Sequence, residues 1–377
     1  MSNITPEGPA EPEGATPPQR PGRPPAGDGG EVTRRSDKAP ADRDPFRAEQ
    51  DPELDQGAKA PTTAAYEPDG GAPDSALVIG EALIDVVERA GEDPVEHPGG
   101  SPANVAVGLA RLGRDVELVT WFAPDARGAT LRSHLERENV RLSGASARAP
   151  RTSTAHATLD ASGAATYVFD LDWSPPVQQS ERTPLVVHTG SIAAVLRPGA
   201  ATVTEMVDRY REDATVTYDP NIRPHVMTDR AATRSAVEKL VARADLVKVS
   251  DEDLRWLYPD EDALTAARRW LGTGPAAVCV TRGEKGTWAA TAGGLELTVR
   301  AHPVEVVDTV GAGDSFMAAL VDGLWAAGLL GAVRRADLRS VTEPVLTRVL
   351  EHAAHVAAVT VSRPGANPPT RSELTLG

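Results

Sequence analysis

Asp314 follows a glycine turn, Gly311-Ala312-Gly313, and precedes the helically spaced apolar residues Phe316, Leu320 and Leu324. A helix starting at about Gly313 would offer unpaired N–H groups and a partial positive charge at its first turn, where an anion is favoured. Gly311 and Gly313 let backbone approach a ligand without Cβ interference. Val306 and Val307 read as a buried strand leading into the turn. A carboxylate placed there can take a proton from an attacking hydroxyl while the turn's amides hold a phosphate in flight. Taken alone, the segment reads equally well as a helix start capped by an acid. It is not a Walker A loop, because no Gly-Lys-Ser/Thr follows, nor a dinucleotide fingerprint, because the third glycine is missing.

A second constellation is Gly99-Gly100-Ser101-Pro102-Ala103-Asn104. Adjacent glycines allow a polyhydroxylated ligand to rest on backbone, and Asn104 offers an amide donor and acceptor suited to sugar hydroxyls. Ser101 is expected to cap the helix, Pro102 to take its first position and Gly113 to end it. Asp85 can accept from two hydroxyls. The loop Asp219-Pro220-Asn221-Ile222-Arg223-Pro224 is stiffened by its prolines, and Arg223 can face a substrate or pair with Asp219. Cys279 lies in an apolar run, the setting of a buried, inert thiol.

The elements that must position these residues alternate. Strands are expected at 77–80, 117–121, 185–188, 214–218, 246–249 and 276–281. Helices are expected at 128–138, 199–211, 229–243, 251–257, 263–271 and 344–362. Leu83 to Val87 continues the first strand or bends away from it. Two runs flank Asp160-Ala161-Ser162-Gly163 as a hairpin at about 152–170, where the alternation breaks, so it projects as a lid or an added sheet. Tyr167, Phe169 and Trp173 are expected to pack this lid. A second hairpin is expected at 287–299. The pattern predicts an α/β fold, a mostly parallel central sheet flanked by helices on both faces, with ligands beyond the carboxyl ends of its strands.

The chain of 377 residues carries 54 acids and 39 bases, a net charge of −15, which argues against a nucleic-acid surface. Residues 1–75 are crowded with Pro, Gly and charges and poor in large apolar residues, so they are expected to be disordered. They lack the apolar core of a signal peptide. Residues 76–377 suit one large domain. No apolar run approaches the ~20 residues of a membrane span, and a single cysteine suits a reducing cytoplasm.

The two glycine stretches resemble the paired signatures of the ribokinase-like (PfkB) sugar kinases. Gly80-Glu81-Ala82-Leu83-Ile84-Asp85, residues 219–224, Lys248-Val249-Ser250-Asp251-Glu252-Asp253, Thr281-Arg282-Gly283-Glu284-Lys285-Gly286 and Ser362-Arg363-Pro364-Gly365-Ala366 agree in the same order, most like the fructokinase branch. The resemblance implies a ribokinase-like fold with a small β-lid. It implies ATP-dependent phosphorylation of a small sugar, D-fructose to fructose 6-phosphate. Other acceptors it leaves open are 2-keto-3-deoxygluconate, ribose and adenosine; an idle sugar-binding regulatory relative is a different class. It casts Asp314 as the base and Gly311, Ala312 and Gly313 as the anion hole. Asp85, Gly99, Gly100 and Asn104 would bind the sugar; Ser250, Thr281, Gly283 and Gly286 the nucleotide. Asp253 would order Mg²⁺ through water, at positions where the family has Asn-x-x-Glu and this chain has Ser250 and Asp253, which also read as a near-capping box. Asp308 and Val310 would hold a monovalent cation such as K⁺, with Ser362 and Gly365 beside it. The family's dimerisation through lid strands implies a homodimer. A dinucleotide oxidoreductase is disfavoured, because the first strand leads to Glu81 and Asp85 rather than to glycines.

Overall fold

The computed structural model describes residues 74–89, 91–159 and 165–374. The expected disorder of the N-terminal segment, but for its last two residues, and the turn at 160–164 lie outside them. In chain order the strands and helices are β1 (Ala76–Ile79), β2 (Leu83–Arg89), β3 (Val95–Gly99), α1 (Ser101–Arg111), β4 (Val116–Val119), α2 (Ala126–Arg137), β5 (Val140–Leu142), β6 (Thr154–Leu159), β7 (Ala165–Asp170), β8 (Val186–Gly190), α3 (Gly199–Tyr210), β9 (Thr215–Asp219), α4 (Arg230–Val241), β10 (Leu246–Ser250), α5 (Asp251–Leu257), α6 (Ala263–Leu271), β11 (Ala277–Thr281), β12 (Thr287–Thr291), β13 (Glu296–Val299), α7 (Ala312–Ala326), α8 (Arg335–Arg339) and α9 (Glu343–Val361).

Successive strand residues point to opposite faces, and here both faces are buried. Ala76 and Val78 enter one core with Leu246, Ala277 and Cys279; Leu77 and Ile79 enter the other with Val247, Val249 and Val278. The first core is closed by apolar stripes of α1, α2, α7 and α9, the second by those of α3, α4, α5 and α6. The sheet runs β13-β12-β11-β10-β9-β8-β1-β4-β5. Pairings from β11 to β5 are parallel, and β12 and β13 add an antiparallel edge. The chain winds outward from β1 through β4 and β5, then returns to build from β8 on the other side. That reversal opens a crevice at the carboxyl ends of β1 and β8, the usual ligand position in such sheets.

β2 does not continue β1. The chain turns at Gly80 and enters a second sheet, ordered β3-β2-β6-β7, with β2 and β6 parallel and the remaining pairs antiparallel. The expected hairpin is thus half of a four-stranded sheet. β3 and β5 were not expected: β3 carries Pro98 and no apolar alternation, and β5 is a three-residue edge.

Two expectations are corrected. Val306 and Val307 are not in a buried strand. The Val307 and Asp308 amides donate to the Val361 carbonyl at 2.8 and 3.1 Å, so the segment docks on the end of α9 and leaves Val306 and Val307 exposed. Trp173 does not pack the lid. It is buried in the second core, with its indole donating to the Ala193 carbonyl at 3.0 Å.

Candidate active site

α1 and α7 cross with almost no space between them. A Cβ on Gly108 would lie 2.7 Å from the Ala318 Cβ, so the pair of small residues sets the crossing distance. The crossing brings the helices' first turns together. Asp314, in the first turn of α7, is buried. Its Oδ1 accepts from Ser101 Oγ at 2.7 Å and its Oδ2 from Asn104 Nδ2 at 2.8 Å. Asn221 Nδ2, beyond β9, approaches Oδ1 at 3.5 Å. Ser101 is therefore not a cap. Gly100, at φ 105°, takes the N-cap position with no side-chain bond, and Ser101 becomes the first helical residue, its hydroxyl free to reach Asp314. Asn104, expected to meet a sugar, faces the acid that would deprotonate one.

The two glycines before Asp314 serve different needs. Gly311 has φ 76°, and a Cβ there would lie 2.8 Å from the Ala366 Cα, so the turn is pinned under the C-terminal segment. Gly313 has ordinary helical backbone, but its Cβ would lie 2.8 Å from Lys248 Nζ. Lys248, on β10, is buried and bonds Asp219 at 2.9 Å. Asp219 does not pair with Arg223, whose guanidinium donates instead to Asn221 Oδ1 at 2.6 Å. Burial alone would lower the Lys248 ammonium, but Asp219, Asp314 and Asp253 together raise it above the usual lysine range, so it is a cation. Sequence reasoning gave Lys248 and Ser101 no site role. The signal for Lys248 was a charged residue at an inward position of an otherwise apolar strand.

Ser250 caps α5, accepting from the Asp253 amide at 2.9 Å, as a capping box requires. The Asp253 carboxylate accepts from the Ile222 amide at 3.0 Å, beyond β9. Its pKa is raised by burial, against the pull of Lys248, and its charge, like that of Asp314, adds to the rise of Asp219.

The second sheet contributes Asp85 on β2. A Cβ on Gly99 would lie 2.0 Å from Asp85 Oδ2, so the carboxylate lies flat against that glycine, and Gly100 backs onto the Glu81 carbonyl. Burial pushes Asp85 up to about 6, with Arg223 and His97 pulling it down and Asp314 adding to the rise. Tyr167 stacks on Phe169 at 6.1 Å and meets His225 at 5.5 Å, so the lid touches the loop after β9.

Thr281 ends β11, and Gly283 and Gly286 bracket a single 3₁₀ turn; at Gly286, φ 77°, a Cβ would lie 2.1 Å from the Val299 carbonyl. Asp308 accepts from the Val310 amide at 3.0 Å and the Gly365 amide at 2.8 Å, tying the turn before α7 to the segment after α9. Ser362 donates to the Val359 carbonyl at 2.8 Å. The exposed valines 306, 307 and 310 border this corner. Among the described residues no group of three or more His, Cys, Asp or Glu is placed to hold a metal ion. A cavity of about 840 Å³ between α3 and α4 shares no residue with this site.

Residues 74–373 match the pattern described as pfkB family carbohydrate kinase. A fructokinase of Rhizobium leguminosarum bv. trifolii is 35% identical over 261 residues, 66% of this chain and 79% of that protein. A solved fructokinase of Xylella fastidiosa is 26% identical with TM-score 0.70, covering 80% of this chain and 97% of that one. A fructokinase of Vibrio cholerae O395, solved in a fructose-, ADP- and calcium-bound form, is 25% identical with TM-score 0.67, over 80% of this chain and 98% of that one.

Proposed function

The chain belongs to the pfkB family of carbohydrate kinases, and on that premise we propose that it transfers the γ-phosphoryl group of ATP to a hydroxyl of D-fructose, giving fructose 6-phosphate. The observation that carries this reading is the buried Asp314 at the N-terminus of α7, held by Ser101 and Asn104 at the mouth of the crevice. Fructose is favoured as acceptor by the fructokinase relatives, one of which binds fructose and ADP.

Phosphoryl transfer asks of a protein alignment and charge stabilisation rather than covalent chemistry. Asp85 accepts from hydroxyls of the sugar and turns one towards Asp314. The attacking oxygen bonds the γ-phosphorus as the bond to the β-phosphate oxygen breaks. Asp314 takes the hydroxyl proton, and ADP departs with the bridging oxygen. The amides of Gly311, Ala312 and Gly313 receive the negative oxygens of the group in transit, and the lid sheet keeps water from competing. Thr281, Gly283 and Gly286 border the nucleotide.

A divalent cation fits as a guest of the nucleotide. Ser250 and Asp253 offer oxygens but no complete ligand shell, which suits an Mg²⁺ that keeps its waters. It would neutralise phosphate charge. Asp308 retains lone pairs after binding two amides, so with the Val310 carbonyl it suits a monovalent ion.

The test is sugar-dependent ADP release over a panel of fructose, ribose, 2-keto-3-deoxygluconate and adenosine. Fructose should give the highest kcat/KM. Asp314→Asn should lower kcat by about 10²–10⁴-fold, the usual worth of a general base, with the fold intact by circular dichroism. Near wild-type turnover in that variant would remove Asp314 from the mechanism, and a panel without any turnover would favour a regulatory sugar-binding protein.

A further inference from the structure

Lys248 is a buried cation that the mechanism above leaves unused. Its side chain is 5% exposed and that of its partner Asp219 1%. The partnership is incomplete, because Asp219 Oδ1 is buried without a hydrogen-bond partner. An ion pair taken out of water commonly contributes no more than well-packed apolar residues would, so stability is a poor account of its presence. Its position is more telling. Lys248 stands between Asp219 on β9 and Cys279 on β11, on the sheet face that carries α7. Its ammonium packs against Gly313, so closely that any side chain there would meet it.

Asp219 from β9 bonds the ammonium and Cys279 is its register neighbour on β11, while Asp253 from α5, Asp314 from α7 and His188 from β8 lie within its electrostatic reach. Burial and the nearby ammonium push His188 down to about 3, and burial pushes Cys279 up to about 12, so both are neutral. Asp219 alone pairs with the ammonium, and Asp253 and Asp314 feel its charge without bonding it, beside the turn proposed to receive a phosphoryl group.

We propose that Lys248 is a positioning residue for phosphoryl transfer. Held by Asp219, it props the Gly313 backbone of the anion hole and supplies the positive charge that lets Asp253, Asp314 and an incoming phosphoryl group occupy one pocket. The inference rests on the kinase reading above. It accounts for glycine at 313, where the backbone has no positive φ to require one.

The test uses the full chain with ATP and the best sugar of the panel. Lys248→Met alone strands a buried Asp219, so the deciding protein is the Lys248→Met/Asp219→Asn double variant, which replaces the pair by neutral groups of similar size. It should fold with a Tm close to wild type. Its kcat should fall about 10–100-fold while the sugar KM stays within about threefold, since the charge acts on the group in transfer. Gly313→Ala, which displaces the ammonium and leaves every N–H in place, should also lose kcat. A double variant within about twofold of wild-type kcat would show that Lys248 only neutralises Asp219, and overturns the inference. Wild-type kcat in Gly313→Ala overturns it too, which covers a double variant that does not fold. A wild-type protein that turns over no sugar overturns this inference and the kinase reading together.

Discussion

Burial pushes the Asp85 carboxyl up to about 6, so the sugar-binding role proposed for it carries a pH dependence. The sign follows from its role as an acceptor. Above about pH 6 the carboxylate would accept from two hydroxyls in its proposed role; as pH falls through about 6 it gains a proton and loses acceptor capacity. The sugar KM should therefore rise as pH falls from about 7 to about 5, while Asp85→Asn should show a KM raised about 10–100-fold and no such dependence, the worth of a hydrogen bond to a charged group. KM measured between pH 5 and 8 decides this, and a wild-type KM flat across that range removes Asp85 from the sugar site. Legibility at this scale followed distance along the chain. Gly311, Gly313 and Asp314 are neighbours in sequence, so their chemistry could be read as a unit. Lys248 could not, because its meaning depends on the β9–β10 register, which sets it beside Asp219, and on the α7 turn above it. Ser101 was misread for a related reason. A serine before proline ordinarily caps, but the backbone of Gly100 took that position and sent the hydroxyl to a residue 213 positions away.

The crossing of α1 and α7 at Gly108 and Ala318 does more for the site than either helix's own capping. Gly108→Ala inserts a methyl where 2.7 Å is available, and should cost about 1–3 kcal/mol by overpacking and lower kcat by pushing Ser101 and Asn104 away from Asp314. The exchange Gly108→Ala/Ala318→Gly should recover most of both losses, as read by urea unfolding and steady-state kinetics. Equal losses in the single and double variants would show that the crossing is not set by this contact. Most helices and strands were legible from period and turn residues, because both faces of the main sheet are buried and its strands are short apolar runs. Val306 and Val307 defeated that logic. Valines near a glycine turn look like a strand, yet the Val307 and Asp308 amides turn to the Val361 carbonyl at the end of α9, which no local pattern encodes.

At the scale of the whole molecule, the second sheet leaves apolar surface on both edges. Val168, on β7, is 63% exposed and Val95, on β3, 42%. The homodimer expected from the family resemblance is proposed to form through this sheet, since an unpaired strand edge with exposed apolar side chains invites a partner strand. Light scattering behind gel filtration should then give about twice the 39.6 kDa chain mass, and Val168→Asp should return it to a single chain. A wild-type protein of single-chain mass would sink the proposal. Among the described residues, no helix is long and apolar enough to cross a membrane. The separation of Ser101 from Asp314 has a further consequence, in time rather than space. A ribosome makes α1 and the second sheet well before α7, so the emerging chain holds Ser101 and Asn104 with no carboxylate to bind. Ala366, which pins the Gly311 turn, is made later still. The Ser101–Asn104–Asp314 cluster is thus completed late in synthesis, and a chain interrupted before α7 lacks the carboxylate at its centre.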